Sequence, residues 1–225
     1  MNATTQDMAM IFAIEMIRKS GVREWQDADT RNAMITAALE MAAGLTIEDD
    51  PMALPDYFRV QNGTAKTIKN SGGDAAITLA SLANNAARQC VKLDLGDIRA
   101  ERWIVRANFE LAATPTAGYG IDLFWAPSTS ATAGTDNPAN VSGTDAAYTG
   151  YSSNIDASIK QLIWIGTFVC TSQATATVQK AFVGELCPPT RYGSMVVYNR
   201  SGAAFHSTDT NQQIELIPLH GVVED

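Results

Sequence analysis

"ERWIVRANFEL", residues 101 to 111, decides the fold class, because an apolar side chain falls on every second residue. Trp103, Val105, Ala107, Phe109 and Leu111 share one face of an extended chain, whereas arginine, asparagine and glutamate take up most of the other face. Such alternation is typical of a β-strand with one buried and one solvated side. The stretch therefore predicts a sheet that covers a hydrophobic core.

The same period continues toward the C-terminus. "YGIDLFW" places Tyr119 on the inner face together with the apolar residues up to Trp125. "QLIWIGTFVC", which begins at residue 161, is apolar on both faces and is typical of a strand covered on both sides. Further strands are predicted in "TATVQKAFV", "GSMVVYN" and "QQIELIPL", with turn signals between them. Many short strands at this spacing favour a mainly β fold, an antiparallel β-sandwich of jelly-roll type.

The N-terminal part has a helical pattern instead. Residues 5–19 and 29–43 lack glycine and proline and are rich in alanine, methionine and leucine, which predicts two helices. The first helix is apolar on more than one side, and Met8, Ile11 and Phe12 are among its apolar residues. A helix of this kind needs a core or another chain to cover it. We expect these residues to form a subunit contact in a homo-oligomer, with a trimer favoured.

These patterns divide the chain into three parts. Residues 1–44 are predicted to be a small helical segment. Residues 45–74 are predicted to be a linker, because they contain two prolines, three consecutive acids and the turn signals Asn-Gly and Gly-Gly. Residues 75–225 are predicted to be the β-sandwich domain.

One long loop, residues 126–156, interrupts the strands. It consists mostly of small polar residues without periodicity, which is typical of a functional loop or a surface arm. Its only aromatic side chains are Tyr148 and Tyr151, and both are predicted interface anchors, since a ring with a hydroxyl suits a contact that is partly apolar and partly wet. We expect the arm to order only against another protein surface. The alternative is a disordered loop.

Composition excludes several classes of partner. The 225 residues include 16 Lys and Arg against 24 Asp and Glu, a formal net charge of −8. Nucleic-acid surfaces need clustered cations to displace counterions, so no nucleic-acid partner is expected. No apolar run approaches the roughly 20 residues that span a bilayer, and the N-terminal stretch lacks the basic start of a secretory signal. We therefore expect a soluble protein without a membrane partner.

Cysteine and histidine are too few and too scattered for a metal centre. Cys90, Cys170 and Cys187 form no CxxC pair and are odd in number, which predicts buried free thiols rather than a disulfide framework. Two histidines in the whole chain argue against a histidine-rich metal site. No phosphate-binding loop motif occurs either. No cofactor is expected.

The clearest candidate for catalysis is a cysteine and a histidine that flank a predicted hairpin, Cys187 and His206. A nucleophilic cysteine needs a neighbouring base and a setting that lowers its pKa. Two prolines follow Cys187 directly, so no helix N-terminus can begin there to stabilise a thiolate. We expect a packed thiol and a histidine at the sheet edge.

Two pairs of carboxylates give further alternatives. Glu110 and Asp122 lie on the polar faces of consecutive predicted strands, and such a pair in a cleft would suit glycoside hydrolysis. Solvated outward acids are the expected outcome. Asp136 and Asp145 would offer loop oxygens to calcium, but their spacing matches no EF-hand loop. No catalytic residue and no metal ligand is therefore predicted.

The C-terminal part resembles structural proteins of tailed-bacteriophage virions. The stretch "FVGELCPPTRYGSMVVYNRSGAAFHSTDTNQQIELIPL", residues 182–219, carries the resemblance together with the preceding "IKQLIWIGTFVCTSQAT" and the loop rich in serine, threonine and alanine. It is similar to the last strands of β-sandwich proteins that decorate phage capsids or form neck, tail and fibre attachments. The resemblance has no catalytic or binding motif, so no functional residue is carried over.

The resemblance implies a protein that works by occupying a place in an assembly. We expect a non-enzymatic virion component, of the capsid-decoration or cement kind, made in the host cytoplasm and located in the virion. Its expected partners are copies of itself and other virion proteins such as the major capsid protein. The alternative is a carbohydrate- or receptor-binding β-sandwich module of a tail fibre or baseplate. A glycosidase that uses Glu110 and Asp122 is the third hypothesis.

Overall fold

The structure of the protein, a computed structural model, describes residues 57–97 and 100–224. Met8, Ile11 and Phe12 of the predicted first helix lie outside these residues, and so does the subunit contact predicted for them. The same holds for the predicted helical segment 1–44 as a whole.

Strands dominate the described residues, with one short α-helix among them. The strands are β1 (Tyr57–Asn62), β2 (Lys66–Ile68), β3 (Ala87–Gln89), β4 (Leu93–Asp94), β5 (Arg102–Glu110), β6 (Gly120–Ser128), β7 (Ala146–Tyr148), β8 (Ile163–Val169), β9 (Val178–Leu186), β10 (Tyr192–Arg200) and β11 (Gln213–Glu224). Helix α1 spans Ile155–Ser158, and 3-10 turns span Tyr151–Ser153, Ile159–Gln161 and Asp209–Asn211.

The strands form two sheets whose strand pairings are antiparallel. One sheet has the order β1-β11-β5-β9, with β2 also on β11, and the other has the order β7-β3-β10-β6-β8, with β4 also on β10. The prediction of a mainly β fold with antiparallel sheets is therefore confirmed. Strands β1 and β2 lie within residues 45–74, the predicted linker, because both pair with the long strand β11. The Asn-Gly and Gly-Gly turn signals of that stretch thus lie between strands.

Both sheets contribute to one hydrophobic core. Trp103, Val105, Ala107 and Phe109 of β5 are buried as predicted, since the alternation of that strand holds in the structure. The Phe109 ring contacts the rings of Phe168 and Phe205 edge-on, at 4.9 and 5.1 Å between centroids, so an aromatic cluster joins the sheets. The other large core residues include Ile68, Ile77, Leu79, Ile121, Leu123, Trp125, Leu186, Met195, Val197, Ile214 and Leu216.

Strand β10 is covered on both faces, which the sequence suggested for β8 instead. Met195 and Val197 face the shared core, whereas Val196 and Tyr198 belong to a second buried cluster. The residues that cover this second face include Ala139, Val141, Tyr148, Ile159 and Leu162, most of them from the long loop. The loop 126–156 is therefore a packed layer over the six-stranded sheet.

Strands β8 and β9, the edge strands of their sheets, pass each other at two glycines. A Cβ atom at Gly166 would lie 2.2 Å from the carbonyl oxygen of Val183, and one at Gly184 would lie 2.3 Å from that of Ile165. Each strand also carries a β-bulge beside its glycine, because Ile165 and Val183 have no partner in the register with β6 and β5. Only glycine lets the two backbones approach so closely.

Candidate functional site

Cys187 and His206 are far apart in the structure. Cys187 follows the end of β9, where that strand pairs with Trp103, whereas the His206 amide donates to the Glu110 carbonyl at the other end of β5. Seven residues of strand separate these two positions, roughly 23 Å. The His206 ring lies 3.7 Å from the Glu110 carboxylate, and Cys187 is exposed rather than buried. The fold therefore forms no thiol–imidazole pair from them.

Glu110 and Asp122 lie in different sheets and face away from each other. Each alternates with residues that point into the shared core, so the core separates the two carboxylates. Glu110 is buried and accepts a hydrogen bond from the Asn211 amide at 2.7 Å. Asp122 accepts a hydrogen bond from the Thr167 hydroxyl and lies 3.7 Å from Nη1 of Arg200. The alternative in which they approach each other is not realised, because β5 and β6 lie in different sheets. The expectation of solvated acids is wrong for Glu110, since that carboxylate is buried.

Asp136 and Asp145 serve separate hydrogen-bond networks. The Asp145 carboxylate accepts from the Thr78 amide at 3.0 Å, from the Thr78 hydroxyl at 2.5 Å and from Nε of Arg88 at 2.6 Å. Burial opposes ionisation of Asp145, but these hydrogen bonds hold its pKa below the ordinary value. The Asp136 carboxylate accepts from the Thr129 hydroxyl at 2.9 Å. Within residues 57–97 and 100–224, no group of histidine, cysteine and acidic side chains is placed to hold a metal ion.

A lysine fixes the first part of the long loop. The Lys92 ammonium donates to the Ser128 hydroxyl at 2.8 Å and to the carbonyl oxygens of Ser130, Thr132 and Thr135 at 3.0, 2.7 and 2.8 Å. Burial lowers the pKa of this ammonium. Hydrogen bonds from a charged donor are stronger than those between neutral groups. The loop is thus tied to its own chain at this point.

The two predicted interface tyrosines have different settings. Tyr148 is buried, and its hydroxyl donates to the Ala139 carbonyl at 2.9 Å. Burial raises the pKa of Tyr148 to about 12. Tyr148 therefore holds the loop against its own domain and is not exposed to a partner, because its ring belongs to the buried cluster on the outer face of β10. Tyr151 is exposed, and its role as an interface anchor stays a prediction.

Three exposed apolar side chains on the two edge strands were not predicted from the sequence. Trp164 and Val169 of β8 and Phe182 of β9 are 61%, 57% and 60% exposed, and we call these three residues the aromatic seam. The prediction that β8 is covered on both sides is wrong at Trp164 and Val169. The bulge at Ile165 shifts the alternation by one residue, so Trp164 faces outward. An exposed Arg102–Glu185 ion pair, with 2.5 Å between Nη2 and Oε2, lies on the strands β5 and β9 beside it.

A polar pocket lies next to the start of β6. Its volume is about 380 Å³, and its lining comes from three separate segments: Asn84, Asn85, Tyr119, Gly120 and Arg200. We call it the Tyr119 pocket. Tyr119 was predicted to face the core, but β6 begins one residue later and the ring is exposed. The pocket thus combines an aromatic ring, two amides and a guanidinium.

No family model matches the chain, and no curated protein matches its sequence. In the part of the chain that the structure describes, no helix is both long enough and apolar enough to cross a membrane. Among the described residues, the aromatic seam and the Tyr119 pocket are two features to which a partner can bind.

Proposed function

We propose that this chain is a non-enzymatic structural component of a tailed-phage virion, of the capsid-decoration or cement kind, acting through protein–protein contacts. The observation that carries the proposal is the aromatic seam. Two large aromatic rings and a valine lie exposed on adjacent edge strands. Aromatic residues are enriched at protein interfaces, and fully burying one such side chain contributes roughly 1.5–3 kcal/mol. These three exposed side chains therefore suit a contact with another protein.

We further propose that the two sheets form a sandwich of jelly-roll type. The strand orders β1-β11-β5-β9 and β3-β10-β6-β8 support this topology, because each sheet alternates early and late strands of the chain as two Greek keys would. Jelly rolls occur in viral capsid proteins and in lectins. That association is one of fold only and favours neither function.

The partners follow from the same proposal. The seam would dock on another virion protein such as the major capsid protein. Copies of the chain would associate, as a trimer by preference, through the predicted helix that contains Met8, Ile11 and Phe12. Localisation in the virion, after synthesis in the host cytoplasm, belongs to the same proposal.

Mass spectrometry of purified virions, with an estimate of copy number, tests the proposal. Hundreds of copies per particle would support decoration, a handful would place the chain in the tail or fibre, and absence would reject the virion role. The double variant Trp164→Ser/Phe182→Ser should reduce incorporation by about tenfold or more, because interface aromatics carry much of the binding energy. Val91→Ser, at an exposed valine outside the seam, is the matched control and should incorporate normally.

A second candidate function is a glycan- or receptor-binding module of a fibre or baseplate. The specific observation in its favour is the Tyr119 pocket, which presents a ring beside several hydrogen-bonding groups. The two candidates use different residues. Virion incorporation of a Tyr119→Ala variant at the normal copy number would separate the pocket from the contact made by the seam.

A further inference from the structure

The walls of the Tyr119 pocket are held by a buried polar network. Asn199 is fully buried, and its amide donates to the carbonyl oxygens of Leu82 and Ala203 at 3.1 and 2.8 Å. Its amide oxygen accepts from the backbone amide and the hydroxyl of Ser201, at 3.1 and 2.7 Å. A buried network with all its partners present is rigid. The turns that carry the pocket residues are therefore fixed before any ligand arrives, as a specific site requires.

Two asparagines on one of these turns present amide groups to the pocket. The Asn84 amide oxygen accepts from the Gly202 backbone amide at 2.9 Å, which fixes the side chain and leaves its NH₂ group for a ligand. Asn85 has a left-handed backbone, φ 63°, and its backbone amide donates to the Asn199 carbonyl. Its side chain makes no hydrogen bond to another described residue. The Asn84 amide can thus donate to a hydroxyl group of a ligand, and the Asn85 amide can both donate to and accept from one.

Arg200 supplies the only cation of the pocket lining. Its Nη1 atom lies 3.7 Å from the Asp122 carboxylate, too far for a hydrogen bond, and its guanidinium carbon lies 5.6 Å from the centre of the Tyr198 ring. The guanidinium makes no hydrogen bond to another described residue, so its planar set of donors is available. That fork matches the geometry of a carboxylate.

The Tyr119 ring stands at the side of the pocket on a fixed backbone. The Tyr119 amide donates to the Thr116 carbonyl at 3.1 Å, and its carbonyl accepts from the Cys170 amide at 2.8 Å. The ring is more than half exposed, at 55%. A flat exposed ring beside amide groups suits a ligand with one apolar face and a rim of hydroxyls. A pyranose sugar has that form.

We infer that the Tyr119 pocket binds an acidic sugar residue, a hexuronate or a similar pyranose carboxylate. The apolar face of the sugar packs on the Tyr119 ring, Arg200 takes its carboxylate, and the Asn84 and Asn85 amides bond to its hydroxyls. The volume of about 380 Å³ lies within the range of roughly 300–1,000 Å³ typical of small-ligand sites. This inference deepens the second candidate function and is independent of the aromatic seam.

Saturation-transfer NMR on the full chain tests the inference. The probes are methyl glycosides of glucuronate, galacturonate and mannuronate, each compared with the corresponding neutral hexoside. At least one hexuronide should receive saturation and should bind about tenfold more tightly than its neutral counterpart, since the carboxylate adds charge-assisted hydrogen bonds. Arg200→Met should remove that preference, and Tyr119→Ala should abolish binding of the preferred sugar.

Two matched variants exclude indirect effects. Tyr151→Ala and Arg102→Met also remove an exposed ring and an exposed guanidinium, but neither residue lines the pocket, so sugar binding should be unchanged. Melting temperatures of all variants show whether the fold is intact. Saturation of none of the sugars would overturn the inference, as would equal binding of the acid and neutral forms or undiminished binding by a folded Tyr119→Ala variant. The copy number in virions, which is the measurement that tests the proposed virion role, does not depend on any of these results.

Discussion

The close crossing of β8 and β9 makes a sharp prediction about Gly184. Replacing Gly184 with alanine puts a methyl group 2.3 Å from the carbonyl oxygen of Ile165, whereas carbon and oxygen atoms in favourable contact are about 3.3 Å apart. The two strands would have to separate by about 1 Å. Because the obstacle is backbone on an opposing strand, no rotation of a side chain can relieve it.

The expected magnitude follows from this overlap. Overpacking costs about 1–3 kcal/mol when neighbouring groups can shift, and a clash with backbone belongs at the upper end, about 3 kcal/mol. For a chain of this length, a loss of 1 kcal/mol lowers the melting temperature by about 2–4 °C, so Gly184→Ala should lower it by about 6–12 °C. Gly166→Ala should behave alike, because its methyl group would lie 2.2 Å from the Val183 carbonyl oxygen.

Thermal and denaturant unfolding of three variants and a control measure the effect. Gly134→Ala is the control, since no atom lies within 4 Å of a Cβ atom at that position. In Gly166→Ala/Gly184→Ala, the separation that the first methyl group forces also makes room for the second, so the double variant should lose clearly less stability than the sum of the single losses. Unfolding of Gly184→Ala at the same temperature as Gly134→Ala would refute the close crossing, and strict additivity would refute a shared separation.

The remaining predictions concern the loop, one ion pair and the thiols. Lys92→Met should lower the free energy of unfolding by about 1–3 kcal/mol and speed amide exchange in residues 128–135, because one hydroxyl and three carbonyl oxygens lose a charged donor. Lys160→Met, at an exposed lysine, is the control. Tyr148→Phe should cost about 1–2 kcal/mol of unfolding free energy, since the buried Ala139 carbonyl loses its donor, whereas Tyr151→Phe should cost nothing measurable. A hydrogen bond from Arg191 lowers the pKa of Asp94 to about 2. Ionised Asp94 therefore stabilises the folded state above about pH 4, and this contribution is lost as the pH falls toward 2. An NMR titration should show a higher Asp94 pKa in Arg191→Met, and an unchanged value would contradict the pairing. With a thiol reagent at pH 8, Cys187 should react in the native protein, whereas Cys90 and Cys170, whose pKa values burial raises to about 12 and about 11, should react only after unfolding.

The alternation of apolar and polar residues within one strand was sufficient to predict which of its side chains face the core. Val105 and Phe109 of β5 and Leu123 of β6 are buried as their spacing predicts, since a period of two is a property of one strand alone. Which strand is covered on its second face depends on the rest of the chain. Val196 and Trp164 both lie in apolar stretches, but the long loop covers the first and leaves the second exposed.

The candidate sites depend on features that a single stretch of sequence does not contain. The bulge at Ile165 reverses the facing of Trp164, and it arises where β8 passes β9, a contact between segments about 20 residues apart. The Tyr119 pocket draws on segments near residues 84, 119 and 200. Asparagine, tyrosine and arginine at these positions have no shared spacing, so only the fold brings them together.

The central place of β11 sets the order in which the protein can fold during synthesis. This strand pairs with β1, β2 and β5, yet about 150 residues separate the end of β1 from the start of β11. At translation rates of about 5–20 residues per second, β1 waits on the order of 10–30 s for its partner. In that interval the ribosome carries a growing chain with unpaired strand edges, which are prone to associate with other chains. We therefore expect chaperones to capture nascent chains that end before residue 213. Capture should decline once β11 has left the ribosome.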